Sequence, residues 1–241
     1  MASILVGTND LRAALKAVRP HACTEQELPS LCRIRLDVGP QNVTVTATDR
    51  FTLGLAIASV FTHLHPETLD ETNLPWVEVI DLAVDDVDKI LGIFPGGKEP
   101  ADEPQYLLRI DTDPTHVVVT DSSGMIDGRA LKIPRLSADE GFPDLAGLVW
   151  KVHSGTPVLI ENLAVGGTYT KRFTTAASCY REPLIFESTT GSKGLMIRCG
   201  ESFLGLLMPI ALDEETEARH LEWRKAWTTR LAPTTGQDDA A

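Results

Sequence analysis

The sequence predicts an α+β fold built from repeated units, each with one helix packed on an antiparallel sheet. Several segments alternate apolar and polar residues with a period of two, as strands that bury one face do. Other segments place apolar residues three and four positions apart, as amphipathic helices do. The order of a helix followed by strands recurs within about 140 residues, which indicates an internal repeat.

The first unit begins with a strand near the N-terminus and a helix at residues 9–18. We expect Thr8 or Asn9 to cap this helix and Pro20 to end it. Three antiparallel strands are predicted to follow, at residues 33–38, 42–48 and 52–61.

The second and third units repeat this order. The second has a strand at 76–80, a helix at 84–93 and three more strands, at residues 106–111, 116–120 and 125–133. The third has a strand at 158–160 and a helix at 165–177, which Gly166 and Gly167 weaken. Its remaining strands are predicted at residues 183–187, 194–199 and 202–208.

A further helix is predicted after the third unit, from a cap at Asp213 to about Leu231. Its apolar stripe consists of His220, Trp223, Trp227 and Leu231. A stripe of this kind is more often a packing face than a binding face, and it could pack in cis or against another copy of the chain. The polar stretch 233–241 is predicted to be disordered.

Composition limits the classes of function. The chain of 241 residues is 43% hydrophobic and 23% charged, which is ordinary for a soluble globular protein. It has neither a signal peptide nor an apolar run of the roughly 20 residues that a membrane helix needs, so we expect a cytoplasmic protein. The net charge of −12 argues against nonspecific wrapping of nucleic acid, although not against holding DNA topologically.

The sequence offers little for catalysis or for a cofactor. Its four cysteines lack the spacing of a zinc site or a disulfide framework, and its six histidines are scattered. No hydrolase motif, metalloprotease motif or phosphate-binding glycine loop occurs. We therefore expect a protein that is not an enzyme and that needs no metal or other cofactor.

Three fragments are the most informative features of the chain: Thr46–Leu53, with the sequence Thr-Ala-Thr-Asp-Arg-Phe-Thr-Leu; Gly141–Leu145, with Gly-Phe-Pro-Asp-Leu; and Gly205–Ile210, with Gly-Leu-Leu-Met-Pro-Ile. In this order and at these separations they resemble the bacterial DNA sliding clamp, the ring-shaped processivity factor of the replicative polymerase. The resemblance implies the DNA-clamp fold.

The resemblance also implies a domain organisation that is shorter than the three domains of a bacterial clamp chain. Residues 1–148 would form a complete clamp-like domain of two half-repeats, and residues 149–212 a partial domain of one half-repeat. The C-terminal helix, residues 213–232, would cover the sheet that the missing half covers in the family. Residues 233–241 would form the tail.

In the clamp family, two of these fragments line an apolar groove in which partner peptides place an aliphatic and an aromatic side chain. The resemblance transfers this groove to Thr48, Arg50, Phe51, Thr52, Leu53, Leu148, Leu207, Met208 and Pro209. Here Arg50-Phe51-Thr52 replaces the family's Gly-His-Arg, so the polar contacts differ. The alternative interpretation is that these are ordinary strand residues packing a core.

Clamp helices line the central hole, so basic residues on them would face DNA. Candidates are Arg12, Lys16 and Arg19 on the first helix and Lys171 and Arg172 on the third. The second helix carries Asp85, Asp86 and Asp88 against Lys89 alone. The alternative interpretation is that all of these charges form a solvated helix face.

Two functions from different classes therefore stay open. The first is a shortened sliding clamp that forms a homo-oligomeric ring around duplex DNA and tethers a polymerase or other proteins through short peptide motifs. The second is a clamp-derived adaptor or decoy that binds such peptides without closing a ring. A third option is that the fold serves as an interaction scaffold with a different site. One and a half domains per chain would need four chains to restore six domains, or three if the C-terminal helix completes a second domain.

Overall fold

The computed structural model of the chain describes residues 3–65, 71–72, 77–98, 106–137, 141–160 and 162–232. The tail predicted at 233–241 lies outside these residues. The first unit contains one helix and four strands: β1 (Ser3–Gly7), α1 (Thr8–Val18), β2 (Arg33–Val38), β3 (Asn42–Thr48) and β4 (Thr52–Leu64). The second unit contains β5 (Glu71–Thr72), β6 (Glu78–Ala83), α2 (Val84–Ile93), β7 (Leu107–Thr112), β8 (His116–Asp121) and β9 (Ala130–Pro134).

The rest of the chain adds a third unit and a C-terminal helix. The third unit contains α3 (Leu145–His153), β10 (Pro157–Val158), α4 (Gly167–Tyr180), β11 (Leu184–Thr189), β12 (Leu195–Cys199) and β13 (Phe203–Leu207). The helix α5 (Glu214–Leu231) follows. No helix in the described residues combines the length and the apolarity that a membrane span requires.

The first two units exchange their leading strands. β1 pairs with β7 of the second unit, and β6 pairs with β2 of the first, all antiparallel. Each of the two meanders, β2-β3-β4 and β7-β8-β9, therefore gains a strand from the other half. This exchange joins the two units through the strands of both meanders.

The long strand β4 joins the third unit to the first. Its residues 52–56 pair with β13, whereas its residues 60–63 pair with β1. The sheet therefore runs continuously in the order β10-β11-β12-β13-β4-β1-β7-β8-β9. Helix α4 lies alongside α1 on one face of this sheet, so the two units also share a core.

The main core lies between these helices and the sheet. The apolar face of α1, with Leu11, Leu15 and Val18, is buried, as the spacing predicts. Phe173 and Ala176 of α4 are fully buried against it. Burial of such apolar faces is the main stabilising term for helices of this length.

A smaller core lies on the opposite face of the sheet, under α3. Leu145, Val149 and Val152 pack there with Leu53 and Met196. Helix α3 was not predicted, and the predicted domain boundary between residues 148 and 149 falls inside it. The signals were present, because apolar residues recur at 145, 148, 149 and 152 and the Asp144 carboxylate caps the helix, accepting a hydrogen bond from the Gly147 amide at 2.9 Å.

Several predicted boundaries differ from the observed ones. The N-cap of α1 is Gly7, not Thr8 or Asn9, and it makes no side-chain capping bond. Pro20 lies within a 3-10 turn, Arg19–His21, that continues the helix. Strand β9 begins at Ala130 rather than at 125, because the chain before it is a solvent-exposed turn.

The C-terminal helix forms where it was predicted but does not pack as predicted. Its Asp213 cap is confirmed, since the carboxylate accepts a hydrogen bond from the Thr216 amide at 2.8 Å. No residue of α5 is buried, and both tryptophans are exposed. The prediction that this helix covers the sheet is therefore wrong. Its stripe makes local contacts instead, such as the stacking of His220 on Trp223.

The shared core predicts a large cost for removing its central aromatic ring. Phe173→Ala should lower the free energy of unfolding by about 3–5 kcal/mol, because it leaves a cavity between α4, α1 and the sheet. Thr174→Ala, at the adjacent exposed position, is the control and should change stability by less than about 0.5 kcal/mol. Urea unfolding followed by circular dichroism measures both. Equal stabilities of the two variants would contradict the assignment of Phe173 to this core.

Candidate functional site

An apolar cleft of about 350 Å³ lies where the first and third units meet. The turn between β3 and β4 forms one wall, α3 forms another, and the turn between β11 and β12 closes a third side. Three large apolar side chains at the cleft are partly exposed: Phe51 at 43%, Met208 at 43% and Leu148 at 47%. A folded monomer rarely leaves such side chains together without a partner.

The structure brings most of the predicted groove residues to this cleft. Of the predicted residues, those that line it are Thr48, Arg50, Phe51, Thr52, Leu53, Leu148 and Met208. Pro209 is not part of the lining, and Leu207 is fully buried in the main core. Leu206 lines the cleft in place of Leu207, because successive side chains of β13 point to opposite faces.

Other residues that line the cleft were not predicted. They come from the segment before β2, from α3 and the residues just before it, and from the β11–β12 turn: Leu31, Pro143, Leu145, Lys151, Val152, Gly191, Ser192, Lys193 and Gly194. Of these, the residues of α3 were detectable from their helical spacing. The others reach the cleft only through the tertiary fold.

Asp49 shapes the turn between β3 and β4. Its Oδ1 accepts hydrogen bonds from the backbone amides of Phe51, at 3.0 Å, and Thr52, at 2.7 Å. Thr48 adds a bond from its hydroxyl to the Thr52 carbonyl at 2.7 Å. These bonds hold Arg50 in the left-handed region with φ of 79°, a conformation that the corresponding glycine of the clamp motif adopts more readily.

Arg172 fastens this turn to α4. Its Nη1 donates to Asp49 Oδ2 and, at 2.7 Å, to Thr52 Oγ1. Its guanidinium lies over the Tyr169 ring, which stacks on Phe51 with 5.2 Å between centroids. Arg172 was predicted to face DNA. The structure instead makes it a positioning residue of the cleft, because its charge is paired with a nearly buried carboxylate.

The end of β13 is fixed to the same turn. The Met208 amide donates to the Phe51 carbonyl at 2.9 Å, one residue beyond the last ladder pair of β4 and β13. Met208 and Phe51 therefore stay next to each other at the edge of the cleft. The flexible thioether of methionine suits a surface that adapts to a partner's side chains.

The basic stripe predicted on α1 is only partly available to a ligand. Arg12 donates through Nη1 to the carbonyls of Leu91, at 2.6 Å, and Phe94, at the end of α2. Arg19 donates to both carboxylate oxygens of Asp88 at 2.5 Å, and these bonds hold the pKa of Asp88 below its ordinary value. Both arginines thus join α1 to α2, which corrects their assignment to an open DNA-facing stripe.

Two lysines keep exposed positions on the helix face. Lys16 is exposed on α1, and Lys171 is exposed on the neighbouring α4. The two helices are adjacent on the same face of the sheet. Among the described residues, no group of three or more His, Cys, Asp or Glu side chains is arranged to hold a metal ion.

His21 lies buried between α4 and the sheet, near the cleft. Its ring lies 4.6 Å from that of Phe173, and neither ring nitrogen has a hydrogen-bond partner within the described residues. Burial, together with the charge of Arg172, lowers the pKa of His21 to about 3. The imidazole is therefore neutral at physiological pH.

Comparisons with known structures identify the fold. A DNA polymerase III beta subunit from Thermotoga maritima is 13% identical and superposes with a TM-score of 0.61, covering 98% of this chain and 68% of that one. A DNA polymerase sliding clamp from Bacillus subtilis is 12% identical with a TM-score of 0.59, covering 88% and 64%. A DNA polymerase III beta chain from Streptococcus pneumoniae is 10% identical with a TM-score of 0.60, and the match covers 97% of this chain and 68% of that one.

These similarities confirm the predicted α+β sliding-clamp fold. The chain spans about two thirds of the length of each of these structures. No model of a known protein family matches the sequence, and no curated protein matches it.

The buried His21 predicts a specific loss of stability in acid. The unfolded chain protonates this residue near pH 6.5, whereas the folded chain keeps it neutral down to about pH 3. The unfolded state therefore binds one more proton in this window, and stability falls as the pH decreases through it. His21→Leu should make the free energy of unfolding less dependent on pH between 6.5 and 3.

Chemical denaturation at a series of pH values measures this difference. His220→Leu, which changes an exposed histidine of α5, is the control and should keep the pH dependence of the unmodified protein. Parallel pH profiles for His21→Leu and the unmodified protein would show that His21 titrates normally in the fold.

Proposed function

We propose that the chain is a sliding-clamp-like processivity factor that assembles into a ring around duplex DNA and tethers a polymerase or other proteins through short peptide motifs. The observation that carries the proposal is the apolar cleft where β4 meets β13, with Phe51, Leu148 and Met208 exposed at it. It is formed by the same two fragments that resemble the groove of the clamp family. The proposed role requires no catalysis and no cofactor, and it belongs in the cytoplasm.

The cleft suits a peptide with one aliphatic and one aromatic side chain. Its apolar floor, with Leu53, Leu145 and Leu206, is fixed by the packing of α3 on the sheet. Its mouth is held by the Asp49–Arg172 pair and by the Met208 amide. A groove prepared in this way loses little entropy when a peptide binds.

Lys16 and Lys171 are the residues that would face DNA in the proposed ring. With a net charge of −12, the protein as a whole repels phosphates, and only a local basic surface can approach them. Two lysines supply weak phosphate contacts, which suits a ring that must slide rather than stop. Arg12, Arg19 and Arg172 support this surface indirectly by holding α1, α2 and the cleft in place.

We propose that the two ends of the sheet form the contacts between neighbouring chains in a ring. Within the described residues, no strand pairs with the outer edge of β11 along 184–187, and β9 lies at the opposite end. Exposed apolar residues lie around the β11 edge: Val158, Leu159, Ile160, Ile185 and Phe186. An uncovered apolar edge favours pairing with another chain, and a repeated head-to-tail contact closes a ring.

We propose four chains per ring. In this proposal the first two units, linked by their exchanged strands, count as one complete domain, and the third unit counts as half of another. Four such chains give the six domains of a clamp ring. Three chains would suffice only if α5 completed the second domain, and no residue of α5 is buried in the described structure.

A second candidate is the adaptor or decoy that binds clamp-interacting peptides without forming a ring. The engagement of Arg12 and Arg19 with α2 favours it, because the helix face keeps few charges for DNA. Both candidates share the peptide groove and differ in assembly.

The groove predicts micromolar binding of a fluorescent peptide of the Gln-x-x-Leu-Phe type, about −8 kcal/mol. Met208→Ala combined with Leu148→Ala should weaken binding by at least about tenfold, because both side chains offer exposed apolar surface at the cleft. Leu53 is unsuitable for this test, since it is buried in the core under α3. Fluorescence anisotropy measures the affinity.

The matched control is Met125→Ala combined with Leu221→Ala, which removes the same two side-chain types from exposed positions outside the cleft. This variant should bind the peptide normally. Equal affinities for the two double variants would place the peptide site elsewhere on the molecule.

The ring predicts topological retention on DNA. The protein is incubated with linear duplex, and half of the sample is then ligated into circles. After gel filtration at about 1 M salt, which removes phosphate contacts, protein should remain on the circles only. Cutting the circles should release it. Light scattering at tens of micromolar should give the mass of four chains.

Lys16→Glu combined with Lys171→Glu should reduce the amount trapped on circles without changing peptide affinity. Lys132→Glu combined with Lys225→Glu changes the net charge equally at other exposed positions and should leave trapping unchanged. A monomer that shows no retention but binds the peptide would exclude the ring and establish the adaptor.

A further inference from the structure

The charges at the cleft are opposite to the charge of the whole chain. The protein has 34 acidic and 22 basic residues, yet the charged residues that line the cleft are Arg50, Lys151 and Lys193. In the described part of the chain, no Asp or Glu lines it. The three cations come from the β3–β4 turn, α3 and the β11–β12 turn, so they lie on different sides of the cleft. We call them the basic rim.

Two members of the basic rim are lysines on elements that the fold holds firmly. Lys151 is exposed in the last turn of α3, whose apolar face is buried against the sheet. Lys193 is exposed in the short turn between β11 and β12, in which Gly191 has a φ of 78° and the Gly194 amide donates to the Ser192 hydroxyl at 3.0 Å. Neither lysine has to move far to meet a ligand at the cleft.

The third member, Arg50, already has an acidic neighbour. Its Nη2 lies 3.2 Å from Glu25 Oε2, and both side chains are more than half exposed. Such exposed pairs contribute little to stability, so a carboxylate of a bound partner can compete with Glu25. Arg50 also lies 5.7 Å above the Phe51 ring, which puts a positive charge next to an apolar contact.

We infer that the partner of the cleft is an acidic–apolar peptide, in which Asp or Glu residues flank the aliphatic and aromatic anchors. This inference rests on the proposed peptide-binding function and specifies its partner. The apolar floor takes the anchors, and the basic rim takes the flanking carboxylates. Because these contacts are local, they act within a Debye length of about 8 Å despite the repulsion from the rest of the protein.

The net charge of the protein and the basic rim predict opposite preferences for the charge of a bound peptide. A protein with a net charge of −12 attracts a lysine-flanked peptide at long range. The basic rim instead favours the acidic peptide once it is bound. Affinities for three peptides with the same Gln-x-x-Leu-Phe centre, flanked by two Asp, two Asn or two Lys residues, therefore separate the two effects.

At 0.15 M salt the Asp-flanked peptide should bind about tenfold more tightly than the Lys-flanked one, with the Asn-flanked peptide between them. Lys151→Glu combined with Lys193→Glu should remove or reverse this order. Lys132→Glu combined with Lys225→Glu, which alters net charge equally outside the cleft, should keep it. Fluorescence anisotropy of labelled peptides on the full chain gives all nine affinities.

The outcomes distinguish the inference from the function on which it rests. Equal affinities for the three peptides, or tighter binding of the Lys-flanked one, would overturn the acidic preference and leave the peptide groove intact. The same preference in both double variants would also overturn it. Failure of all three peptides to bind would overturn the groove and the inference together.

Discussion

The pairing of β4 with β13 is the interaction on which the site depends. It brings residues 52–56 of the first unit against residues 203–207 of the third, about 150 positions later in the chain. The cleft exists because this ladder ends where the Asp49 turn begins. Gly54 and Gly205 face each other in it, and both are glycines for a steric reason. A Cβ at Gly54 would lie 2.6 Å from the His21 ring, and one at Gly205 would lie 2.4 Å from the Phe173 ring.

These two glycines couple the core to the cleft. They allow the rings of His21 and Phe173 to approach the backbone of β4 and β13 closely. Phe173 is on the same helix as Arg172, which holds the Asp49 turn from the adjacent position. The residue that completes the core and the residue that shapes the cleft are therefore neighbours on α4. Any shift of α4 on the sheet would move the turn and the mouth of the cleft with it.

Local pattern predicted most strands and helices, and the order of the motif fragments pointed to the cleft. Helix α3 was missed although its local signals were present. The other errors concern residues whose surroundings depend on distant partners. Leu207 was assigned to the wrong face, because alternation along β13 cannot be phased without knowing which face packs on α4. The predicted DNA-facing position of the arginines was wrong for a different reason. Arg19 pairs with Asp88, 69 positions away, and Arg172 pairs with Asp49, 123 positions away. The spacing of residues along a helix does not reveal such distant partners.

The bonds that these arginines make within the protein bear on how a chain of acidic net charge could serve as a clamp. A clamp-like molecule needs a helix face that phosphates can approach, but a strongly basic face would bind DNA too tightly to slide. Here Arg12 and Arg19 are used to hold α1 against α2, and Arg172 holds the cleft, so their charges are neutralised or directed into the protein. At the helix face and at the cleft, the exposed positive charge that remains comes from Lys16 and Lys171 and from the basic rim. Each of the two proposed binding surfaces therefore offers a partner only a few separate cations, and the net charge of −12 of the whole chain weakens the attraction of polyanions from a distance.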